Sequence, residues 1–282
     1  YFMNRFFVIY LISVNFFCTS AGQGTEEVLI TGKKGACFSR KSGQWSSKIS
    51  KLNPYWYYSW ERESIKKGPR NIEFVPMFWG KWFKDEDIDY LIKLKNKNQI
   101  KFILGFNEPD SRSQSNMSVD EAIALWPKLE TIGLPLGSPA TVNPENQWMI
   151  DFMNKVDQLG LRVDFICVHH YGGRSVQGLL KKLDRLYKKY NRPIWITEFA
   201  LADWDAKSVE ESRDTEEDVL EFMRNVFPAL ERLDYVARYA WFSAKTTNRA
   251  LGRAALFDEN NRLTTLGRHY ASFQATEEKP ND

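Results

Sequence analysis

The chain is poor in cysteine and histidine and has no marked excess of one charge. Three Cys and three His in 282 residues include no Cys-x-x-Cys pair, so no metal site of that kind is indicated. A net charge of +3 gives no electrostatic reason to expect binding to nucleic acid. A Gly-x-Ser-x-Gly turn, a phosphate-binding glycine loop and an EF-hand are also missing. These absences argue against a nucleotide-binding protein and a serine hydrolase.

The apolar run near the N-terminus is too short to span a membrane. Residues 6–17 are apolar apart from two polar positions, follow a short basic segment and precede small residues. A bilayer needs about 20 apolar residues, whereas a run of this length suits a signal peptide. We therefore expect residues 1–21 to contain a signal peptide whose translation starts at Met3. We expect the mature protein to be secreted, extracellular and free of the membrane. An uncleaved N-terminal anchor is the alternative. A glycosylation sequon at 116–118 agrees with secretion.

Two cysteines, Cys37 and Cys167, remain after such a cleavage. Both fall in predicted strands, the first and the sixth, which would not be neighbours in a sheet. We therefore expect two buried thiols rather than a disulfide bond.

Strand-like and helix-like segments alternate along the whole chain. The predicted strands are 35–39, 56–60, 72–79, 101–106, 134–140, 163–171, 193–200 and 236–243. Helical periodicity and capping signals predict helices at 85–96, 118–131, 146–159, 175–190 and 215–233. Eight such repeats predict an α/β protein with a single (β/α)8 TIM barrel. A doubly wound open sheet is the alternative, but no glycine-rich loop follows a strand. We expect the barrel domain to occupy residues 22–274 and the charged tail 275–282 to be frayed.

Two glutamates follow apolar strands at what would be the active face of the barrel. The fourth strand runs into Asn107 and Glu108, and the seventh ends at Glu198. Active sites of TIM barrels lie at the C-terminal ends of the strands, and strands four and seven stand on opposite sides of the mouth. Hydrolysis of a glycosidic bond requires such a pair of carboxyl groups. We expect Glu108 and Glu198 to be catalytic and Asn107 to bind a sugar hydroxyl, although a strand-end Glu also commonly forms an ion pair.

Aromatic residues and histidines occur at the other strand tips. Aromatics make up 15% of the chain, with ten Trp, and aromatic faces can stack on sugars. His169 and Tyr171 share one face of the sixth strand and His170 points to the other. Zinc binding by the histidines is an alternative, but the sequence offers no third ligand at metal spacing. We expect substrate contacts from His169 and Tyr171 and from four tryptophans: Trp60, Trp79, Trp204 and Trp241.

The motifs in order resemble glycoside hydrolase family 128, the alkali-sensitive-linkage-type glycosyl hydrolase catalytic domain of clan A. The similar segments are Trp-Tyr-Tyr-Ser-Trp (56–60), Glu-Phe-Val-Pro-Met-Phe-Trp-Gly (73–80), Gly-Phe-Asn-Glu-Pro-Asp (105–110), Gly-Ser-Pro-Ala (137–140), His-His-Tyr-Gly (169–172), Trp-Ile-Thr-Glu-Phe-Ala (195–200), Tyr-Ala-Trp-Phe-Ser (239–243) and Leu-Thr-Thr-Leu-Gly-Arg-His-Tyr (263–270). They extend over nearly all of the expected mature chain.

The resemblance implies a retaining β-1,3-glucanase with Glu108 as acid/base and Glu198 as nucleophile. It implies β-1,3-glucan as the partner, and no cofactor or metal. We expect a monomer. His170 stands where the family has Trp, which places one sugar or packing contact in question. A non-catalytic glucan-binding protein and a clan relative acting on another β-linked glycan are the alternatives.

Overall fold

A parallel sheet of six strands forms the centre of the molecule in a computed structural model, which describes residues 32–63, 68–69 and 71–274. The strands lie in the order β3-β2-β1-β6-β5-β4, and all their pairings are parallel. They are β1 (Lys34–Cys37), β2 (Trp56–Tyr58), β3 (Glu73–Phe74), β4 (Ile166–Gly172), β5 (Ile194–Leu201) and β6 (Val236–Phe242). Six of the eight predicted strands therefore contain regular strands.

The other two predicted strands, 101–106 and 134–140, are extended segments joined by single bridges rather than regular strands. The parallel bridges pair Met77 with Leu104, Ile103 with Leu136, Asn107 with Ala140, and Gly137 with Phe165. These bridges connect β3 to β4 through the two segments, so eight extended segments follow one another around a ring. Pro135 and Pro139 lack the N–H groups that a continuous ladder would need. The ring agrees with the predicted barrel, but its regular hydrogen bonding is confined to six strands.

Seven α-helices and one short 3-10 helix lie between and after these strands in the described part of the chain. Ser118 accepts a hydrogen bond from the backbone N–H of Glu121 at 3.1 Å, and the Glu121 carboxylate accepts one from the backbone N–H of Ser118 at 2.9 Å, as the predicted capping box requires. The helices are α1 (Trp45–Leu52), α2 (Asp85–Asn96), α3 (Val119–Glu130), α4 (Gln147–Leu159), α5 (Val176–Tyr190), α6 (Glu216–Glu231), η1 (Gly252–Ala254) and α7 (Thr265–Ser272). All five predicted helices are present.

The apolar side chains form two clusters, one inside the ring and one beneath the helices. Cys37 and Cys167 belong to the inner cluster together with Trp56 and Trp195. Both cysteines are buried and free, which confirms the prediction of two thiols without a disulfide. Trp126 is fully buried in the outer cluster. The interior is therefore packed with side chains, as is typical of TIM barrels.

An ion pair closes the N-terminal end of the ring. Arg238, near the start of β6, donates to Glu73 at the start of β3 over 2.8 and 3.2 Å. Three aromatic rings surround its guanidinium, whose central carbon lies 4.3 Å from the Trp195 ring centroid and 4.6 Å from that of Phe102. Because this end is filled, an open cleft can form only at the C-terminal end of the strands.

The predicted signal peptide and the tail 275–282 lie outside the described residues, and the limits of the barrel domain stay a prediction. Within the described segments, no helix has both the length and the apolar character needed to cross a bilayer.

Candidate active site

The two predicted catalytic glutamates meet at the C-terminal end of the ring. Glu198 is the fifth residue of β5, and Glu108 follows the bridged segment that ends at Asn107. The side chain of Glu198 is 7% exposed and that of Glu108 is 13% exposed. Carboxylate oxygens of both residues and a ring nitrogen of His169 all lie within 4.8 Å of one another. A carboxyl separation of about 5–5.5 Å is typical of retaining glycosidases, whereas inverting enzymes need about 6.5–9.5 Å.

His169 lies between the two glutamates. Its Nδ1 is 2.9 Å from Glu108 Oε1, and its Nε2 is 3.5 Å from Glu198 Oε1. A register shift in the β4–β5 pairing between Val168 and His169 places the imidazole directly beside Glu198. Burial lowers the pKa of His169, but the charges of Glu198 and Glu108 and the hydrogen bond to Glu108 raise it by more, so its pKa lies above the ordinary value. The imidazolium can therefore balance negative charge on the carboxyl pair.

Three side-chain donors converge on the carboxylate of Glu198. Trp60 donates its indole N–H to Oε1 over 2.8 Å, Tyr58 donates its hydroxyl to Oε1 over 3.1 Å, and Tyr171 donates to Oε2. Burial and the charge of Glu198 raise the pKa of both tyrosines well above its usual range. Both hydroxyls therefore keep their protons and remain donors. These three hydrogen bonds fix the orientation of the Glu198 carboxyl group, as a nucleophile requires.

The backbone at two site residues has a left-handed conformation. Glu108 has φ 39° and Trp60 has φ 58°, a region that residues other than glycine and asparagine seldom occupy. The N–H of Glu108 donates to the carbonyl of Ala140 over 2.7 Å, which fixes the turn after the bridged segment. Strained residues of this kind are frequent in active sites. Here the turn directs a carboxylate toward His169.

Asp110 holds the loop that follows Glu108. Its two carboxylate oxygens accept hydrogen bonds from the N–H of Val142 at 3.1 Å and from the side chain of Asn146 at 2.7 Å. Asn146 also caps α4 by accepting from the N–H of Met149. The loop carrying Glu108 is therefore tied to the neighbouring loop and helix.

Asn107 is 3% exposed and lies beside Glu108. Its side-chain nitrogen is 3.4 Å from Gln114 Oε1, and its Oδ1 is buried without a hydrogen-bond partner among the described residues. This oxygen is available to accept from a sugar hydroxyl. The role predicted for Asn107 stays a prediction.

Aromatic side chains flank the glutamates on two sides. Trp79 is partly buried and stacks on Trp82, with ring centroids 5.6 Å apart, and Trp82 is 59% exposed. On the other side, Trp204 is 53% exposed, and its ring packs edge-to-face with Tyr171 with the ring centroids 5.8 Å apart. Sugar stacking on Trp79 and Trp204 stays a prediction. Trp82, which stacks on Trp79, is more exposed than Trp79 itself.

Trp241 does not reach the cleft, which corrects the prediction that it binds substrate. Its side chain is fully buried, packs among phenylalanines of β5 and α6, and donates its indole N–H to the carbonyl of Ala254 over 2.9 Å. Alternation along β6 instead turns Phe242 toward the site, 5.5 Å from Tyr171 and 6.1 Å from Trp60. Tyr58, a donor to Glu198, was missed, although the same alternation places it on the inner face of β2.

Comparisons with known proteins agree with this geometry. Residues 35–270 match the family described as glycosyl hydrolase catalytic core. A crystal structure of a subgroup I endo-β-1,3-glucanase of glycoside hydrolase family 128 from Amycolatopsis mediterranei, in complex with laminarihexaose, is 32% identical. The alignment covers 86% of this chain and 99% of that one, with a TM-score of 0.71. The chain belongs to glycoside hydrolase family 128.

Other relatives extend the comparison within family 128 and beyond bacteria. A curdlan-specific exo-β-1,3-glucanase of subgroup III from Blastomyces gilchristii, in complex with glucose, is 27% identical, with a TM-score of 0.66 over 86% of this chain and 98% of that one. Alkali-sensitive linkage protein 1 of Schizosaccharomyces pombe is 32% identical over 183 residues, 60% of this chain. The matched region spans about a third (32%) of that relative's length.

His170, at the position where the resemblance to family 128 calls for Trp, points away from the glutamates. Its Nδ1 lies 3.4 Å from Lys182 Nζ on α5. Burial, with a smaller effect of the Lys182 charge, lowers the pKa of His170 to about 4, so the ring is neutral near pH 7. This position therefore contributes a packing contact on the helix side of β4 and no contact at the catalytic pair.

The structure brings together three possible metal ligands, which include His169 but not His170. Glu108, His169 and Glu198 each place a ligand atom within 4.8 Å of the others. Trp60 Nε1 and the hydroxyls of Tyr58 and Tyr171 already donate to the Glu198 oxygens, and an indole N–H cannot act as an acceptor or a ligand. Because these donors already occupy the Glu198 oxygens, the site fits a hydrogen-bonded pair of carboxyl groups better than it fits a cation.

Proposed function

We propose that this family 128 enzyme hydrolyses β-1,3-glucan with retention of anomeric configuration, using Glu198 as nucleophile and Glu108 as acid/base. The observation that carries the proposal is the close carboxyl pair joined by His169. The solved relatives support the choice of glucan, because they are described as β-1,3-glucanases and two structures of the Amycolatopsis mediterranei enzyme hold laminarihexaose and laminaripentaose.

The different surroundings of the two glutamates support the assignment of roles. Glu198 accepts hydrogen bonds from three neutral donors, which hold its carboxyl group in place for attack on the anomeric carbon. Glu108 has His169 as its side-chain partner among the described residues and is the more exposed of the pair. We therefore assign Glu108, the glutamate with fewer donors and greater exposure, to proton transfer to the leaving oxygen.

The reaction then has two displacements. A Glu198 oxygen attacks the anomeric carbon while Glu108 gives its proton to the glycosidic oxygen, so the C–O bond breaks and a glycosyl ester forms. Glu108, now ionised, takes a proton from water. The hydroxide attacks the same carbon and releases Glu198 as a carboxylate. Two inversions at one centre give net retention.

Reducing-end release from laminarin tests the proposal. We expect Glu198→Ala and Glu108→Ala each to lower kcat by at least about 10³-fold, because each removes a reacting group, whereas Glu217→Ala on the exposed surface of α6 serves as a control. Proton NMR of the first products should show the β anomer. Wild-type turnover in either variant, or an initial α anomer, would contradict the proposal.

The protein is also proposed to be secreted, and its monomeric state stays a prediction to be checked by light scattering. Support comes from the apolar N-terminal run and from the sequon, whose Asn116 is exposed in a left-handed turn. We expect expression in a eukaryotic secretory host to give a product in the medium that N-glycanase shortens. Asn116→Gln should abolish the shift. Ser118→Thr should keep both the sequon and the cap of α3, and intracellular retention would contradict secretion.

A further inference from the structure

A cavity of about 740 Å³ opens beside the nucleophile. Trp60 and Phe242 form the wall nearest Glu198, since the Trp60 indole donates to Glu198. The rest of the lining comes from segments that follow β1 and β6 and from 257–261. Nothing in the catalytic assignment uses this space.

The position of the cavity in the ring indicates which part of the substrate it would hold. In the order of extended segments around the ring, the segment that leads to Glu108 is the third neighbour of β1 and the fourth neighbour of β6. Glu108 must face the leaving group, while Glu198 bonds to the anomeric carbon of the sugar that stays. A cavity beside Trp60 and remote from Glu108 therefore receives the glycone, the part of the chain retained on Glu198.

The cavity is rich in unpaired positive charge. Lys41, Lys48 and Lys245 line it, and Lys51 donates to the carbonyl of the lining residue Asn261 over 3.0 Å. None of the four forms an ion pair with a described acidic residue. Burial lowers the pKa of Lys48, and the charges that act on it, from Lys245 and Lys51, lower it further. Lys48 therefore stands in a positive field without a compensating carboxylate.

The acidic residues of the cavity do not neutralise these lysines. Asp258 pairs with Arg262 over 2.8 Å and also accepts from the backbone of its own turn. Glu259 is exposed and lies 3.3 Å from the Thr246 hydroxyl. A neutral glucan has no group that would use the charge of the lysines, whereas a carboxylate or sulfate would form charge-assisted hydrogen bonds with them.

We propose that this cavity binds the glycone of a β-glucan that carries an anionic substituent, a carboxylate or a sulfate ester. The inference rests on the proposed function, because it extends the same cleft. Hydroxyl groups of Ser39, Ser42 and Thr246 line the cavity beside the lysines and can bind sugar hydroxyls. The lysines then select the substituted sugar, and the aromatic wall of Trp60 and Phe242 contacts the ring next to the cleaved bond.

The test compares kcat/KM for laminarin, carboxymethylated laminarin and sulfated laminarin at low and high salt. We expect the wild type to prefer at least one anionic substrate by roughly 3-fold or more in 20 mM salt, because partly exposed charge pairs contribute modestly to binding. Screening in 500 mM salt should remove most of the preference. Acceleration by one substrate alone identifies the substituent as carboxylate or sulfate.

Charge removal in the cavity supplies the matched comparison. Lys48→Gln and Lys245→Gln should each lower the ratio of anionic to neutral kcat/KM by roughly 2- to 5-fold. Lys93→Gln, at an exposed position of α2, makes the same change of net charge and should leave the ratio unaltered. Equal wild-type rates on all three substrates, or a ratio insensitive to the cavity lysines, would overturn the inference alone. Absence of hydrolysis of every substrate would instead contradict the proposed function.

Discussion

The buried pair of Glu73 and Arg238 offers a measurable test of how the barrel is held together. Their side chains are 9% and 12% exposed, and two hydrogen bonds join them beneath the aromatic rings of the inner cluster. Glu73→Ala would leave the guanidinium buried without its counter-ion. Such a loss costs about 3–5 kcal/mol. We expect the lower half of this range, because contacts with aromatic faces, worth about 0.5–2 kcal/mol each, remain.

Guanidinium denaturation followed by tryptophan fluorescence measures this loss directly. For a domain of this size, the expected loss corresponds to a fall in Tm of roughly 6–16 °C, at about 2–4 °C per kcal/mol. The double variant Glu73→Leu/Arg238→Met removes both charges and should lie within about 1 kcal/mol of wild type. Laminarin turnover well below Tm should persist in Glu73→Ala, because the pair lies at the opposite end of the ring from Glu198. A loss below about 1 kcal/mol, or equal damage in the double variant, would refute the reasoning.

Three further perturbations address the site. The pKa of His169 is raised in the folded protein, so protonation of His169 stabilises the fold fully below its unfolded pKa, and this effect is lost as pH rises through the folded pKa. The difference in unfolding free energy between wild type and His169→Gln should therefore shrink from pH 6 to pH 9. A difference that stays constant would contradict the assignment. Trp82→Ala should raise KM for laminarin roughly 2- to 10-fold with little effect on Tm, if its open face stacks on sugar, at about 0.5–1.5 kcal/mol per aromatic contact; an unchanged KM would argue against this platform. Trp241→Ala should instead lower stability by about 3–5 kcal/mol, and urea denaturation that shows wild-type stability would contradict its place in the core.

Local patterns in the sequence predicted the elements that depend on neighbouring residues. The capping box joins Ser118 and Glu121, which are only three positions apart in sequence, and it formed as expected. Alternation along β4 correctly separated His169 from His170, because successive strand residues face opposite sides whatever the sheet contacts. The same rule, applied to β2 and β6, would have identified Tyr58 and excluded Trp241.

Longer-range features needed the folded chain. The bridged segments contain prolines, and sequence periodicity does not reveal which backbone N–H groups find a partner on another strand. Glu73 and Arg238 are 165 residues apart, so their pairing follows from ring closure rather than from any motif. Likewise, the lysines around the cavity come from α1, from the loop before it and from the loop after β6, which meet only when β6 pairs with β1.

The sequence by itself determined the family, the order of elements and the two carboxylates, because strand-end glutamates within characteristic motifs can be recognised without coordinates. The tertiary structure alone decided what surrounds those carboxylates. It placed His169 between Glu108 and Glu198 and directed three donors onto the latter. It also placed the side chain of Trp241 in the core. The physical reason is that distances, burial and charge fields arise from segments remote in sequence, which come together only when the parallel strands close their ring.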